Sequence, residues 1–193
     1  YFSESKRQLY NNLLKALELY HADGDMKSRL NSYINQITIL FQKGLYVQCS
    51  KLLEKAKEIA LKYEKYSQLL ELFRLEKELI VIQGFSSQAD NKLENTIKHE
   101  AEIIKKLTNE RRYNSILLKF IKHTLLHGIA RNQKEILLYK KLVSSKLCSD
   151  EKYALSFNAK SDFCLINAAY LFCVDKLPQS YDFYKKNVEL YDM

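Results

Sequence analysis

His123 and His127 lie four residues apart, a spacing that puts two imidazoles on one face of a helix and lets both reach one metal ion. A zinc site needs a third ligand and usually a fourth. The run His123-Thr124-Leu125-Leu126-His127 also lacks the Glu that serves as general base in the helical metalloprotease motif. The pair is therefore expected to be two histidines of a helix surface or end, and no metal is expected. Asp23-Gly24-Asp25 resembles the start of a calcium loop, but the further oxygen ligands and the sixth-place Gly of the twelve-residue pattern are missing. A helix stop followed by an N-cap accounts for it better. The four cysteines, Cys49, Cys148, Cys164 and Cys173, form no C-x-x-C pair, sit in apolar contexts and are expected to be buried small hydrophobes. There is no G-x-G, P-loop, nucleophile elbow or pair of catalytic carboxylates. Neither an enzyme nor a cofactor site is expected.

Charge is more informative. The chain of 193 residues has a formal net charge of +8, and residues 101–150 alone hold 11 Lys/Arg against 4 Asp/Glu. The cations are Lys105, Lys106, Arg111, Arg112, Lys119, Lys122, Arg131, Lys134, Lys140, Lys141 and Lys146. Such a block suits phosphate or an acidic partner, and Tyr113 and Tyr139 within it would be placed to stack on bases. A solvated lysine-rich face is the plainer reading of the same residues. The stretch Glu71, Arg74, Glu76, Lys77, Glu78 reads as a solvated helix face with pairs at three and four residues.

These residues must be positioned by helices. With 4 Gly and 1 Pro, the chain lacks the turns that a sandwich or barrel requires every 8–12 residues or so. Hydrophobic residues reach 47% and recur at three and four, so the fold class expected is all-α. Nine helices are expected, at about 3–21, 25–43, 45–64, 66–83, 87–108, 111–129, 132–147, 150–174 and 177–191. Gly24, Gly44, Gly84 and Gly128 mark helix ends, and Asp25, Ser86-Ser87, Asn132, Ser149-Asp150 and Asp175 mark starts. The longest apolar run, Leu79-Ile80-Val81-Ile82, is far below the roughly 20 residues of a membrane span. A chain opening on Tyr1 rather than Met is expected to be part of a longer or processed protein, and a cytoplasmic setting is favoured.

Turns near Gly44, Gly84, Arg131 and Asp175 are spaced by 40 to about 47 residues, as in stacked helical pairs. Phe41, Gly44, Cys49, Leu53 and Ala56 follow one another as an aromatic, a turn Gly, a small residue, a large residue and an Ala. That order resembles the centre of a tetratricopeptide repeat. Asp175, Ser180, Tyr184 and Asn187 resemble a second copy, Gly84, Ala89 and Leu93 a third, and Lys6–Tyr20 the second helix of a preceding repeat. The spacing exceeds the usual period of about 34 residues, and armadillo or HEAT-like pairs of about 40–47 residues are the alternative.

The resemblance implies one domain over 1–193, a solenoid of about four hairpins (25–64, 66–108, 111–147 and 150–191) with a leading helix. It implies a non-catalytic scaffold whose first helices line a concave groove for a protein or peptide. Carried onto this chain, the groove positions are Asn31, Ile34, Asn35, Thr38, Phe41 and Gln42, then Glu71, Arg74 and Glu78. The Lys near Ile34 that a carboxylate clamp would need is absent, which argues against capture of a peptide C-terminus. The alternatives are a nucleic-acid or acidic-partner binder working through 105–146, or a sensor segment of a larger regulator.

Overall fold

The computed structural model describes residues 2–21, 25–84 and 87–192. The fold is all-α: eight α-helices and two single 3-10 turns, with no strand among the described residues. Neighbouring helices in the chain pack on one another, as in helical repeats. Packing divides the chain into two compact units, with the boundary between Ile103 and Ile104.

The first unit holds α1 (Phe2–His21), α2 (Met26–Gln42), α3 (Tyr46–Lys62), α4 (Tyr66–Gln83) and the opening turns of α5 (Ser87–His127). Three-residue turns join α2 to α3 and α3 to α4, which makes them antiparallel neighbours. Both turns are built alike. Gly44 (φ 71°) and Glu64 (φ 49°) take the left-handed conformation. The next residue's N–H then reaches back five residues, Leu45 to the Leu40 carbonyl at 3.0 Å and Lys65 to the Ala60 carbonyl at 2.8 Å. On α3, Cys49, Leu53, Ala56 and Ala60 form one fully covered stripe at four, three and four. α4 is buried on more than one side, through Leu69, Leu72, Phe73, Leu75, Leu79 and Ile80. By contrast, Leu9, Tyr10, Leu13 and Leu17 of α1 are exposed.

The second unit begins within α5 and continues with α6 (Gln133–Leu142), 3-10 turns at Lys146–Cys148 and Glu151–Tyr153, α7 (Phe157–Cys173) and α8 (Leu177–Glu189). α7 is its centre: Ala159, Phe163, Cys164, Ile166, Ala168 and Cys173 are buried, joined by Tyr113 and Phe120 of α5 and Tyr139 of α6. The α7–α8 turn repeats the device of the first unit, with Asp175 (φ 58°) left-handed and Lys176 N–H bonded to the Leu171 carbonyl at 2.8 Å. Five residues beyond each of two such turns lies a small buried group bonded to the carbonyl twelve residues back. Cys49 Sγ meets the Ile37 oxygen at 3.8 Å, and Ser180 Oγ donates to the Ala168 oxygen at 2.8 Å.

Three expectations change. The break between 108 and 111 does not exist: α5 runs unbroken for 41 residues. Asn109, which would suit a helix end, spends its amide on another segment. It donates to the Tyr153 carbonyl at 2.9 Å and accepts from Leu155 N–H at 3.0 Å. The helices expected at 132–147 and 150–174 are shorter, because Ser145, Asp150 and Ser156 in turn cap the backbone N–H groups of Leu147, Lys152 and Ala159. In the last hairpin Tyr184 is exposed and its neighbour Phe183 packs on the core instead, 5.9 Å from the Phe163 ring. Ala22, Asp23, Gly24 and Ser86 lie outside the described residues, and with them the calcium-like loop and two of the expected helix signals. No helix of the described residues is long and apolar enough to cross a membrane.

Candidate functional site

In the first unit α2 packs on α4 as well as on α3, so the expected groove positions of α2 and α4 belong to neighbouring helices. Asn31, Asn35 and Gln42 are exposed, while Ile34, Thr38 and Phe41 are half-buried. Asn31 Oδ1 accepts from Gln68 Nε2 at 3.3 Å, a direct link from α2 to α4. Thr38 donates back to the Ile34 carbonyl at 2.9 Å, and Phe41 meets Tyr46 edge-on at 5.9 Å. Both are thus occupied in holding their own helix and turn. On α4, Arg74 is held by two carboxylates, Glu71 at 2.7 Å and Glu78 through a short contact. Hydrogen bonding to Arg74 keeps the Glu71 carboxyl below its usual range, and the same bond raises the guanidinium. The cluster therefore presents one net negative charge.

Glu76 leaves the solvated face expected for it. It is buried and bonded to Lys57 of α3 at 2.7 Å, with Lys92 of α5 at 3.5 Å. Lys77 pairs with Glu100 at 2.7 Å. A cavity of about 480 Å³ opens beside this network, lined by Glu54, Lys57, Phe73, Glu76, Lys92 and His99 among others. One oxygen of Glu76 is buried there without a hydrogen-bond partner. Neither the position nor its burial was visible in the charge run; only its seven-residue spacing from the apolar Leu69 hinted at an inward face.

In the second unit the basic segment behaves differently. Among the described residues none of its 11 cationic side chains makes a salt bridge, although the Arg131 backbone N–H donates to Glu135 at 2.7 Å. Lys105, Arg111, Arg112, Lys119 and Lys122 are exposed on α5, with Lys106 half-buried; Lys134, Lys140 and Lys141 are exposed on α6. A cleft of about 790 Å³ lies against Arg111, Arg112 and Lys119 of α5 and Lys146, Leu147 and Tyr153 of the 3-10 turns. The aromatic residues expected to stack are unsuited to it. Tyr113 and Tyr139 are 0% and 1% exposed. Tyr113 donates to the Leu147 carbonyl at 2.7 Å and Tyr139 to the Gly128 carbonyl. Burial pushes the Tyr113 phenol up to about 12. Tyr153, which the sequence did not single out, sits at the cleft with the Lys146 ammonium 5.1 Å from its ring centre.

His123 and His127 stack at 4.4 Å, and the first also meets Tyr139 edge-on at 4.9 Å. Among the described residues no group of three or more His, Cys, Asp and Glu could hold a metal ion. All four cysteines are buried free thiols, and burial raises Cys148 to about 11, far from a reactive thiolate. In a further cavity of about 310 Å³, burial and the nearby Glu110 lift the Asp162 carboxyl to about 6. Compared with known proteins, the chain matches no family model, no curated protein and no solved structure.

Proposed function

We propose that the protein is a non-catalytic scaffold that binds a protein or peptide along the wall shared by α2 and α4, as in tetratricopeptide-like arrays. The observation that carries this reading is the hydrogen bond between Asn31 and Gln68. It places the exposed amide of Asn31 beside the half-buried amide of Gln68 on two non-consecutive helices, and an amide can donate to and accept from a peptide backbone at once. The matched turns at Gly44 and Glu64 support it, because they set α2 and α4 in the same relation to α3. The Glu71–Arg74–Glu78 cluster gives the wall a negative end, which favours a ligand with a basic residue over a carboxylate terminus.

A pull-down with the full chain followed by peptide mapping tests this. Asn35→Ala and Glu78→Ala should weaken capture of the mapped peptide several-fold without lowering the melting temperature. Capture that is indifferent to both substitutions overturns the reading.

A further inference from the structure

Along the second-unit part of α5, Lys105, Thr108, Arg112, Ser115, Lys119 and Lys122 follow one another at three, four, three, four and three residues. That spacing sets all six on one helix face. All six are exposed, and Tyr113 and Phe120 are buried on the opposite face. The face carries four cations and no carboxylate over 17 residues of rise, about 26 Å. Charged side chains on a helix ordinarily find partners at three or four residues. These have none among the described residues, although Lys57, Arg74 and Lys98 of the first unit do.

The face is not bare charge. Its middle borders the 790 Å³ cleft, whose lining alternates cations with apolar surface from Ile116 and Leu147. The cleft's far wall is fixed by the core: Tyr113 reaches through and holds the Leu147 carbonyl. Tyr153 draws Lys146 over its ring. Lys152, the other ammonium near that ring, is neutralised by Asp150 at 2.7 Å, so among the described residues Lys146 is the cation there without a carboxylate. A row of cations at seven, seven and three residues beside an apolar, aromatic-edged cleft matches a ligand with a line of phosphates and flat bases.

We infer that this face of α5 and its cleft form a binding site for single-stranded nucleic acid, with the phosphates along Lys105, Arg112, Lys119 and Lys122 and a base against Ile116 and Leu147. Tyr153 acts as a positioning residue for Lys146. The site lies wholly in the second unit, and its assignment does not rest on the proposed peptide-binding reading.

The test is titration of the full chain with a fluorescent oligouridine RNA at two salt concentrations. Binding should weaken steeply with salt, and the log–log slope should fall by about 0.7 for each of Arg112 and Lys119 replaced by Ala. Lys185→Ala, remote in sequence and outside the face, should leave the slope unchanged. Tyr153→Ala should cost several-fold and Tyr153→Phe nothing, since the ring and not the hydroxyl holds Lys146. Inorganic polyphosphate of equal charge should bind more weakly than the RNA, because it has no base for the cleft. No binding at low salt overturns the proposal, as does binding that survives Arg112→Ala with Lys119→Ala. Polyphosphate, heparin or anionic vesicles binding as well as RNA would show a general polyanion surface and overturn it too.

Discussion

The buried charge network of the first unit and the basic segment of the second treat their cations in opposite ways. In the first, Lys57, Arg74, Lys77 and Lys92 are each tied to carboxylates, and one carboxylate, Glu76, is buried to make the network. In the second, the cations of α5 and α6 stand in water without carboxylates among the described residues, and the core is held by aromatic rings and side-chain bonds to backbone carbonyls. Paired charges contribute to the fold where they are desolvated and geometrically fixed. Unpaired, exposed cations contribute almost nothing to stability and so are free to serve a partner. The contrast separates residues that build from residues that bind, and substitutions can break it.

The largest effect is expected at the buried network. Lys57→Ala removes the principal partner of Glu76 and should destabilise the first unit by about 3–5 kcal/mol, seen in urea denaturation. Replacing Lys57 by Met and Glu76 by Leu together should restore most of the loss. Ala56→Trp should cost about 1–3 kcal/mol or more, since Ala56 is completely covered. A wild-type melting curve would show that the α3 stripe tolerates bulk and is not a tight contact.

Next is the pH response of the second unit. The Asp162 carboxyl is raised on folding, from 3.8 to about 6, so the folded state binds its proton more tightly than the unfolded chain does. The stability this confers is present in full below about pH 4 and is lost as the pH rises through about 6. Asp162→Asn should raise the melting temperature at pH 7 and flatten this part of its pH dependence; an unchanged profile would contradict the burial. Smaller still, Glu64→Gly and Asp175→Gly relieve a left-handed non-glycine residue and should each stabilise by about 0.5 kcal/mol, against a left-handed cost of roughly 1–2 kcal/mol offset by glycine's backbone entropy. At the bottom of the scale, Arg112→Ala and Lys119→Ala should shift stability by less than about 0.5 kcal/mol. A larger loss would mean that these cations build after all.

The helical class, the turn at Gly44 and the covered stripe of α3 were legible because each rests on local spacing. Glu64 and Asp175 show why turns were only partly so: tertiary packing imposes a left-handed backbone on residues that carry a Cβ. Asn109 and Asp150 show the limit of boundary signals, because a polar side chain that would end or start a helix in isolation can instead bond a distant strand of backbone or cap a single turn. The burial of Tyr113 and Tyr139 was not legible, because a phenol reads the same in sequence whether it faces water or a buried carbonyl. Glu76 was hidden in a charge run whose other members are half-buried or exposed. The cationic face of α5 was visible as composition, but its alignment needed the knowledge that residues 108–111 do not interrupt the helix.

The burial of α7 on more than one side bears on how the chain comes into being. A helix with apolar groups on more than one side cannot shield itself, and α8, which covers part of it, follows it in the chain. A polypeptide halted at Val174 would carry Phe163, Ile166 and their neighbours uncovered, and should precipitate or be held by chaperones until α8 is made.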